Sequence, residues 1–130
     1  MSTDVNVFEN ESTVDKVVQA MSDCDVDYVI VVQSRIPTGI ITERDVIVRM
    51  LTQGLDPKVV IARAIYTNPL VTIEETATVL EAAELMKEWN IKHLPVTQEG
   101  KIVGMLNYLD IAFNVQELFP AMKELYRPSK

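Results

Sequence analysis

The stretch Gly39–Asp45, with the sequence GIITERD, predicts a β-strand that turns directly into an α-helix. The glycine is followed by two isoleucines, which favour a strand, and then by Thr42, a residue type that often caps helices. Asp45 follows three positions later, so a carboxylate and the free backbone N–H groups of a helix start come together. The stretch can therefore be read as a helix cap or as part of a binding site.

The pattern occurs a second time as Gly104–Asp110, with the sequence GMLNYLD, 65 positions later (39 to 104). The same shift aligns Thr13 with Thr78 and Met21 with Met86, and no gap is needed. Repetition at a fixed period indicates two copies of one supersecondary unit, each too small to bury its apolar face alone.

Composition and charge set limits on the class of protein. The chain has 130 residues, 48% hydrophobic and 24% charged, which is typical of a globular protein with a real core. A net charge of −7 disfavours general binding to nucleic acid or anionic membranes. The single cysteine, Cys24, excludes an intrachain disulfide and indicates a reducing compartment. With no basic leader and no apolar run long enough for a bilayer, we expect a cytoplasmic protein.

Apolar spacing predicts an α+β fold in both halves. In the first half we expect a strand at 5–8, a helix capped by Ser12 or Thr13, a strand at 28–32, a turn at 34–38, a strand at 39–41, and a helix from Thr42 to just before Gly54. That last helix should bury Val46, Ile47, Met50 and Leu51, and a short helix should follow from Asp56.

The second half repeats the order of elements. We expect a strand at 70–73, a helix capped by Thr76, a strand at 92–97, a turn at 98–101, a strand at 102–106 and a helix from Asn107. Apolar residues at helical spacing then continue through residues 115–126, interrupted by Pro120, which should kink or split this tail helix.

This strand–helix–strand–strand–helix unit, present twice and ending each time in Gly-x-x-polar-x-x-Asp, resembles a tandem pair of CBS (cystathionine-β-synthase) domains, the Bateman module. The stretches TNPLVTI (67–73) and IKHLPV (91–96) support the resemblance, which covers about residues 4–115. It implies two pseudo-symmetric β-α-β-β-α units packed through their sheets, with two clefts between them. We expect the first unit at 1–54, a connector at 55–66, the second unit at 67–115 and a helical tail at 116–130.

The resemblance implies that these clefts bind an adenosine-type ligand such as AMP, ADP, ATP or S-adenosylmethionine. In the family, the aspartate of the pattern holds the ribose hydroxyls, and the threonine and nearby basic residues meet phosphate. The resemblance implies no required cofactor besides this ligand. Carried over to this chain, the first cleft would use Thr42, Arg44, Asp45, Thr67, Asn68, Pro69, Leu70, Ile91 and Lys92.

The second cleft is less well furnished. It would use Val26, Asp27, His93, Asn107 and Asp110. Here an asparagine replaces the threonine, a leucine stands where the first copy has an arginine, and Asp27 brings negative charge towards a phosphate. We expect this cleft to be empty, weak, or adapted to something other than a nucleotide phosphate.

These features favour a non-catalytic regulatory module that forms a homodimer and acts on a separate protein or as a ligand sensor. The alternative is a structural protein whose output is dimerisation alone, and nucleic-acid binding is disfavoured by charge. One histidine and one cysteine give catalysis no paired acid, base and nucleophile. His93 has no second metal ligand near it in sequence, so a metal site is not expected.

Overall fold

The β-hairpin that contains Gly39 organises the first half of the chain. β2 (Tyr28–Gln33) pairs antiparallel with β3 (Ile36–Thr42), and β1 (Val7–Glu9) pairs parallel with the other side of β2. Every residue from Tyr28 to Val32 is buried, as the continuous β-branched run predicts for a central strand. The turn is shorter than predicted, because Ser34 and Arg35 alone form it with positive φ values.

The computed structural model describes residues 5–112, and over this range the chain is an α+β protein, as predicted. It divides into a first unit, Val5–Leu70, and a second unit that begins at Val71. Each unit contains a three-stranded sheet with one parallel and one antiparallel pair of strands. The predicted tail helix lies outside the described residues.

Helix α1 (Val14–Asp23) packs against the sheet of the first unit through Val14, Val17 and Met21, which lie at helical spacing. The residues that form this core are Val14, Val17, Met21, Val29, Val31, Ile41, Met50, Ala62 and Ile65. At the start of the helix, the hydroxyl of Thr13 donates to the carboxylate of Asp15, which lowers the pKa of that carboxyl. The first backbone N–H groups of α1 donate to the carbonyls of Val60 and Pro57, both at 2.9 Å.

The segment before Ala62 does not form the predicted helix. Residues 57–59 form a turn, and Ala62–Ala64 makes a short 3₁₀ helix. The carbonyls of Pro57 and Val60 already accept from the N-terminus of α1, so they are committed to another element. Val59, an apolar residue of this segment, is 74% exposed.

Helix α2 (Glu43–Val46) begins at Thr42, as predicted, but continues as a π-helical turn (Ile47–Leu51). Met50 is buried as predicted. The predicted burial of Ile47 and Leu51 is wrong, since they are 52% and 63% exposed. A π-helical turn closes i→i+5 hydrogen bonds, so it does not continue the 3.6-residue spacing on which that prediction relied.

Residues 66–70, which we call the edge segment, run past the free side of β3. The N–H of Thr67 donates to the carbonyl of Ile40 at 2.8 Å, and the N–H of Ile40 donates back to Thr67 at 3.1 Å. A Cβ on Gly39 would lie 2.2 Å from Cδ2 of Tyr66 and 2.6 Å from the Thr67 carbonyl oxygen. Only glycine therefore allows the edge segment to approach β3 this closely.

The second unit repeats this plan. Its elements are β4 (Ile73–Glu74), α3 (Val79–Trp89), β5 (His93–Gln98) and β6 (Lys101–Asn107), followed by helical residues at 108–112. The pair His93–Asn107 corresponds to Tyr28–Thr42 at the predicted shift of 65, and both hairpins carry a bulge at equivalent positions. Strand register thus confirms the repeat.

Two details of the second unit differ from prediction. The cap of α3 is Thr78 and not Thr76, and its hydroxyl accepts from the N–H of Glu81 at 3.1 Å. The strand predicted at 70–73 is reduced to Ile73–Glu74, because only those residues pair with β5.

We predict that Gly39→Ala destabilises the first unit by about 1–3 kcal/mol, because the new methyl group would overlap the edge segment. Ile36→Ala on the same strand is the control. The Ile36 side chain is 65% exposed, so we expect a change below about 0.5 kcal/mol. Urea unfolding followed by circular dichroism measures both effects. Equal midpoints for the wild type and Gly39→Ala would show that the close approach is not required.

Candidate functional site

The carboxylate of Asp45 lies at the start of α2, where the residue is only 6% exposed. Its Oδ2 accepts from the backbone N–H of Thr42 at 2.9 Å and from the Thr42 hydroxyl at 3.2 Å. Its Oδ1 accepts from the Thr67 hydroxyl at 2.9 Å and lies 3.5 Å from Nε of Arg49. A carboxylate has about four acceptor positions, and a donor faces each of them here.

Thr42 and Asp45 also form a reciprocal capping box. The N–H of Asp45 donates to the Thr42 hydroxyl at 3.4 Å, while the Asp45 carboxylate accepts from the N–H of Thr42. Two N–H groups at the helix start are satisfied in this way. The helix-cap interpretation of this stretch is therefore correct, and a ligand role for the same residues remains a prediction.

Arg49 is a residue of this site that the sequence reasoning missed. Its Nη1 donates to the carbonyl of Tyr66 at 3.1 Å, so its guanidinium joins the edge segment to Asp45. About half of the Arg49 side chain, 49%, remains exposed. The i,i+4 spacing from Asp45 was the available signal, because such pairs lie on one helix face. Arg44, the predicted basic residue, is exposed.

The structure brings together three of the residues predicted for the first cleft: Thr42, Asp45 and Thr67. Three further predicted residues of the first unit follow Thr67 directly. Asn68 and Pro69 are exposed and joined by a cis peptide bond, and Leu70 is half-buried.

Ile91 and Lys92, the other two predicted residues, belong to the second unit. Ile91 packs against the core of Ala82, Met86 and Leu94. The Nζ of Lys92 lies 5.6 Å from the centroid of the exposed Tyr108 ring, a cation–π distance. A positive charge and an aromatic face are thus adjacent on this unit.

Asn107 and Asp110 keep the shape of the cap with different chemistry. The N–H of Asn107 donates to Asp110 Oδ2 at 2.9 Å, as at Thr42 and Asp45. The amide oxygen of Asn107 accepts from the N–H groups of Leu109 at 2.9 Å and Asp110 at 3.1 Å. His93 is half-buried and lies opposite Asn107 in the strand ladder.

Val26 and Asp27 line a cavity of about 550 Å³ within the first unit. It lies between the C-terminal end of α1 and the start of α2, and Met21 contributes to its apolar part. Asp25 and Glu43 also line the cavity, so together with Asp27 it has three acidic residues. This charge disfavours a phosphate there. The expectation for the second cleft stays a prediction.

Two further classes of site receive no support within residues 5–112. No group of three or more His, Cys, Asp or Glu side chains is placed to hold a metal ion in this range. The helices described here are too short or too polar to cross a membrane.

Comparison with known proteins agrees with this architecture. The family model "CBS domain" matches residues 1–52 and 62–117. An uncharacterized protein of Methanopyrus kandleri is 43% identical over 84 residues, covering 64% of this chain and 43% of that protein. This chain spans about half the length of the curated relatives it matches.

Two solved structures show the same fold. A putative signal-transduction protein with CBS domains from Burkholderia ambifaria has a TM-score of 0.80 at 24% identity, covering 92% of this chain and 85% of its own. A hexameric CBS-CP12 protein from bloom-forming cyanobacteria has a TM-score of 0.79 at 25% identity, covering 95% and 79%. Two family matches, two hairpins in one register and two Gly-to-Asp junctions lead to one assignment: the chain belongs to the CBS domain family and carries a tandem pair.

Proposed function

We propose that this chain is a non-catalytic regulatory module that binds an adenosine-type nucleotide at Asp45. The observation that supports the proposal is a buried carboxylate surrounded by two hydroxyl donors and a half-exposed guanidinium. Hydroxyl groups of a ribose are donors of the same kind, and an arginine beside a helix start favours an anionic phosphate. AMP, ADP, ATP and S-adenosylmethionine are the candidate ligands.

The site also offers a route from ligand to signal. Thr67, which donates to Asp45, belongs to the edge segment, and that segment leads along the chain into the second unit at Val71. A ligand that changes the contacts of Asp45 would change the hydrogen bond between Asp45 and this segment. Regulation then requires that the ligand prefer one arrangement of the segment over another. The regulated target would be a separate protein.

We predict that one of the candidate nucleotides binds and that Asp45→Asn abolishes binding, while Asp110→Asn largely spares it. At a hundred times its dissociation constant, the ligand should raise the melting temperature of the wild type by roughly 10 °C. Calorimetric titration should accompany the melting curves, because Asp45 also caps α2 and its substitution lowers stability without ligand.

Two outcomes would contradict this prediction. Loss of binding in Asp110→Asn alone would move the site to the second copy of the motif. Absence of heat with AMP, ADP, ATP and S-adenosylmethionine in the wild type would favour the alternative, a structural protein whose output is association.

A second proposed property is self-association through the π-helical turn. Ile47 and Leu51 are one turn apart and more than half exposed, although apolar side chains of this size favour burial. The cyanobacterial CBS-CP12 protein with the same fold is hexameric. We propose that a second copy of the chain covers these two side chains.

We expect Ile47→Glu combined with Leu51→Glu to shift the protein to its monomer mass, because a charge would be buried in the contact. Gln53→Glu is the control, since it adds one negative charge, against two in the double variant, at an exposed polar position nearby and should leave the mass unchanged. Light scattering after size-exclusion chromatography measures both. A wild type that is already monomeric, or a double variant that remains associated, would exclude this contact.

A further inference from the structure

We infer that the Thr67 hydroxyl is a built-in competitor for the ribose diol at Asp45, an inference that rests on the nucleotide function proposed above. In this structure each acceptor position of the carboxylate faces a donor of the chain itself. A ribose hydroxyl can therefore bind Asp45 only by taking the place of one of these donors.

The donors differ in how easily they can leave. Both Thr42 groups belong to the capping box, so their removal would open the first turn of α2. The Thr67 hydroxyl reaches Asp45 from a residue distant in sequence, and rotation about one side-chain bond is enough to withdraw it. Arg49 lies farther away, at 3.5 Å, on a half-exposed side chain. Oδ1 is therefore the oxygen that becomes available to a ligand.

The competitor is held in place by its backbone. Both the N–H and the carbonyl of Thr67 are bonded to Ile40, and the preceding carbonyl of Tyr66 accepts from Arg49. Gly39 allows this approach because any side chain there would overlap the Thr67 carbonyl. The hydroxyl is thus presented to Asp45 by a positioned segment, so its local concentration is high in the absence of ligand.

Competition gives the ligand a specific effect on the chain. When a ribose hydroxyl replaces the Thr67 hydroxyl, the edge segment loses its side-chain bond to Asp45 and keeps its two backbone bonds to Ile40. Occupancy of the site is thereby coupled to the segment that continues into the second unit. The same competition lowers the affinity for any ligand that uses a diol, because part of its binding replaces a bond already present.

The test compares AMP affinity in the wild type, Thr67→Val and Thr67→Ser by calorimetric titration. Valine keeps the shape of threonine without its hydroxyl, so Thr67→Val should bind AMP about twofold to tenfold more tightly, the value of one net hydrogen bond. Thr67→Ser keeps the hydroxyl and should match the wild type. Thr72→Val, at an exposed threonine of the second unit, is the control for hydroxyl loss.

A second ligand tests whether the change in affinity depends on the ribose hydroxyls. The monophosphate of 2′,3′-dideoxyadenosine lacks both ribose hydroxyls, so Thr67→Val should give it no gain in affinity. Thermal unfolding checks that each variant is folded, and Thr67→Ala, which also lacks the hydroxyl, replaces the valine variant if valine prevents folding.

The outcomes separate this inference from the proposed function. Unchanged or weaker AMP binding by Thr67→Val, with the wild type binding through Asp45, would overturn the competitor role alone and leave the nucleotide function standing. Binding by Thr67→Val and not by the wild type would support the role. Absence of AMP binding in both proteins would reject AMP as the ligand and the competitor role with it.

Discussion

The first unit depends on the contact between the Asp45 carboxylate and its donors Thr42, Arg49 and Thr67. A buried carboxylate is costly unless its oxygens are hydrogen-bonded. Thr42 satisfies one oxygen from within the helix start, and Thr67 and Arg49 satisfy the other from outside it. One side chain thereby joins the strand end, the helix and the segment that leads to the second unit.

The contact between Asp45 and Thr67 requires a glycine at position 39. The Thr67 hydroxyl can reach Asp45 only because the edge segment lies against β3, and the segment lies there only because Gly39 has no Cβ. Gly39 and Asp45, six positions apart in one motif, therefore both contact Thr67. Gly39 allows its backbone to approach β3, and Asp45 accepts a hydrogen bond from its hydroxyl. A helix cap and a binding site would need the same residues here, so the sequence pattern supports both interpretations.

The two copies of the motif share geometry and differ in chemistry. Both hairpins have the same register and both junctions have a reciprocal cap. The first copy adds hydroxyls and Arg49 around its carboxylate, whereas the second caps two N–H groups with the amide oxygen of Asn107. The sequence difference between Thr42 and Asn107 therefore corresponds to a difference in hydrogen bonding at the two junctions, and binding of a sugar and a phosphate at the first junction stays a prediction.

The sequence by itself determined the repeat, the order of elements and the strand–helix junctions, because these follow from periodic apolar spacing and from local capping residues. Contacts between distant segments, and shifts in helical period, were decided by tertiary structure. The pairing of Thr67 with Ile40 and the use of the connector carbonyls by α1 have no local sequence signal. The i,i+4 spacing of Arg49 from Asp45 is a local signal, but it does not by itself favour Arg49 over Arg44. Likewise, the π-helical turn exposes Ile47 and Leu51 against their apolar pattern. The local sequence places Asp45 at the helix start, and only the folded chain determines which donors bond to its carboxylate.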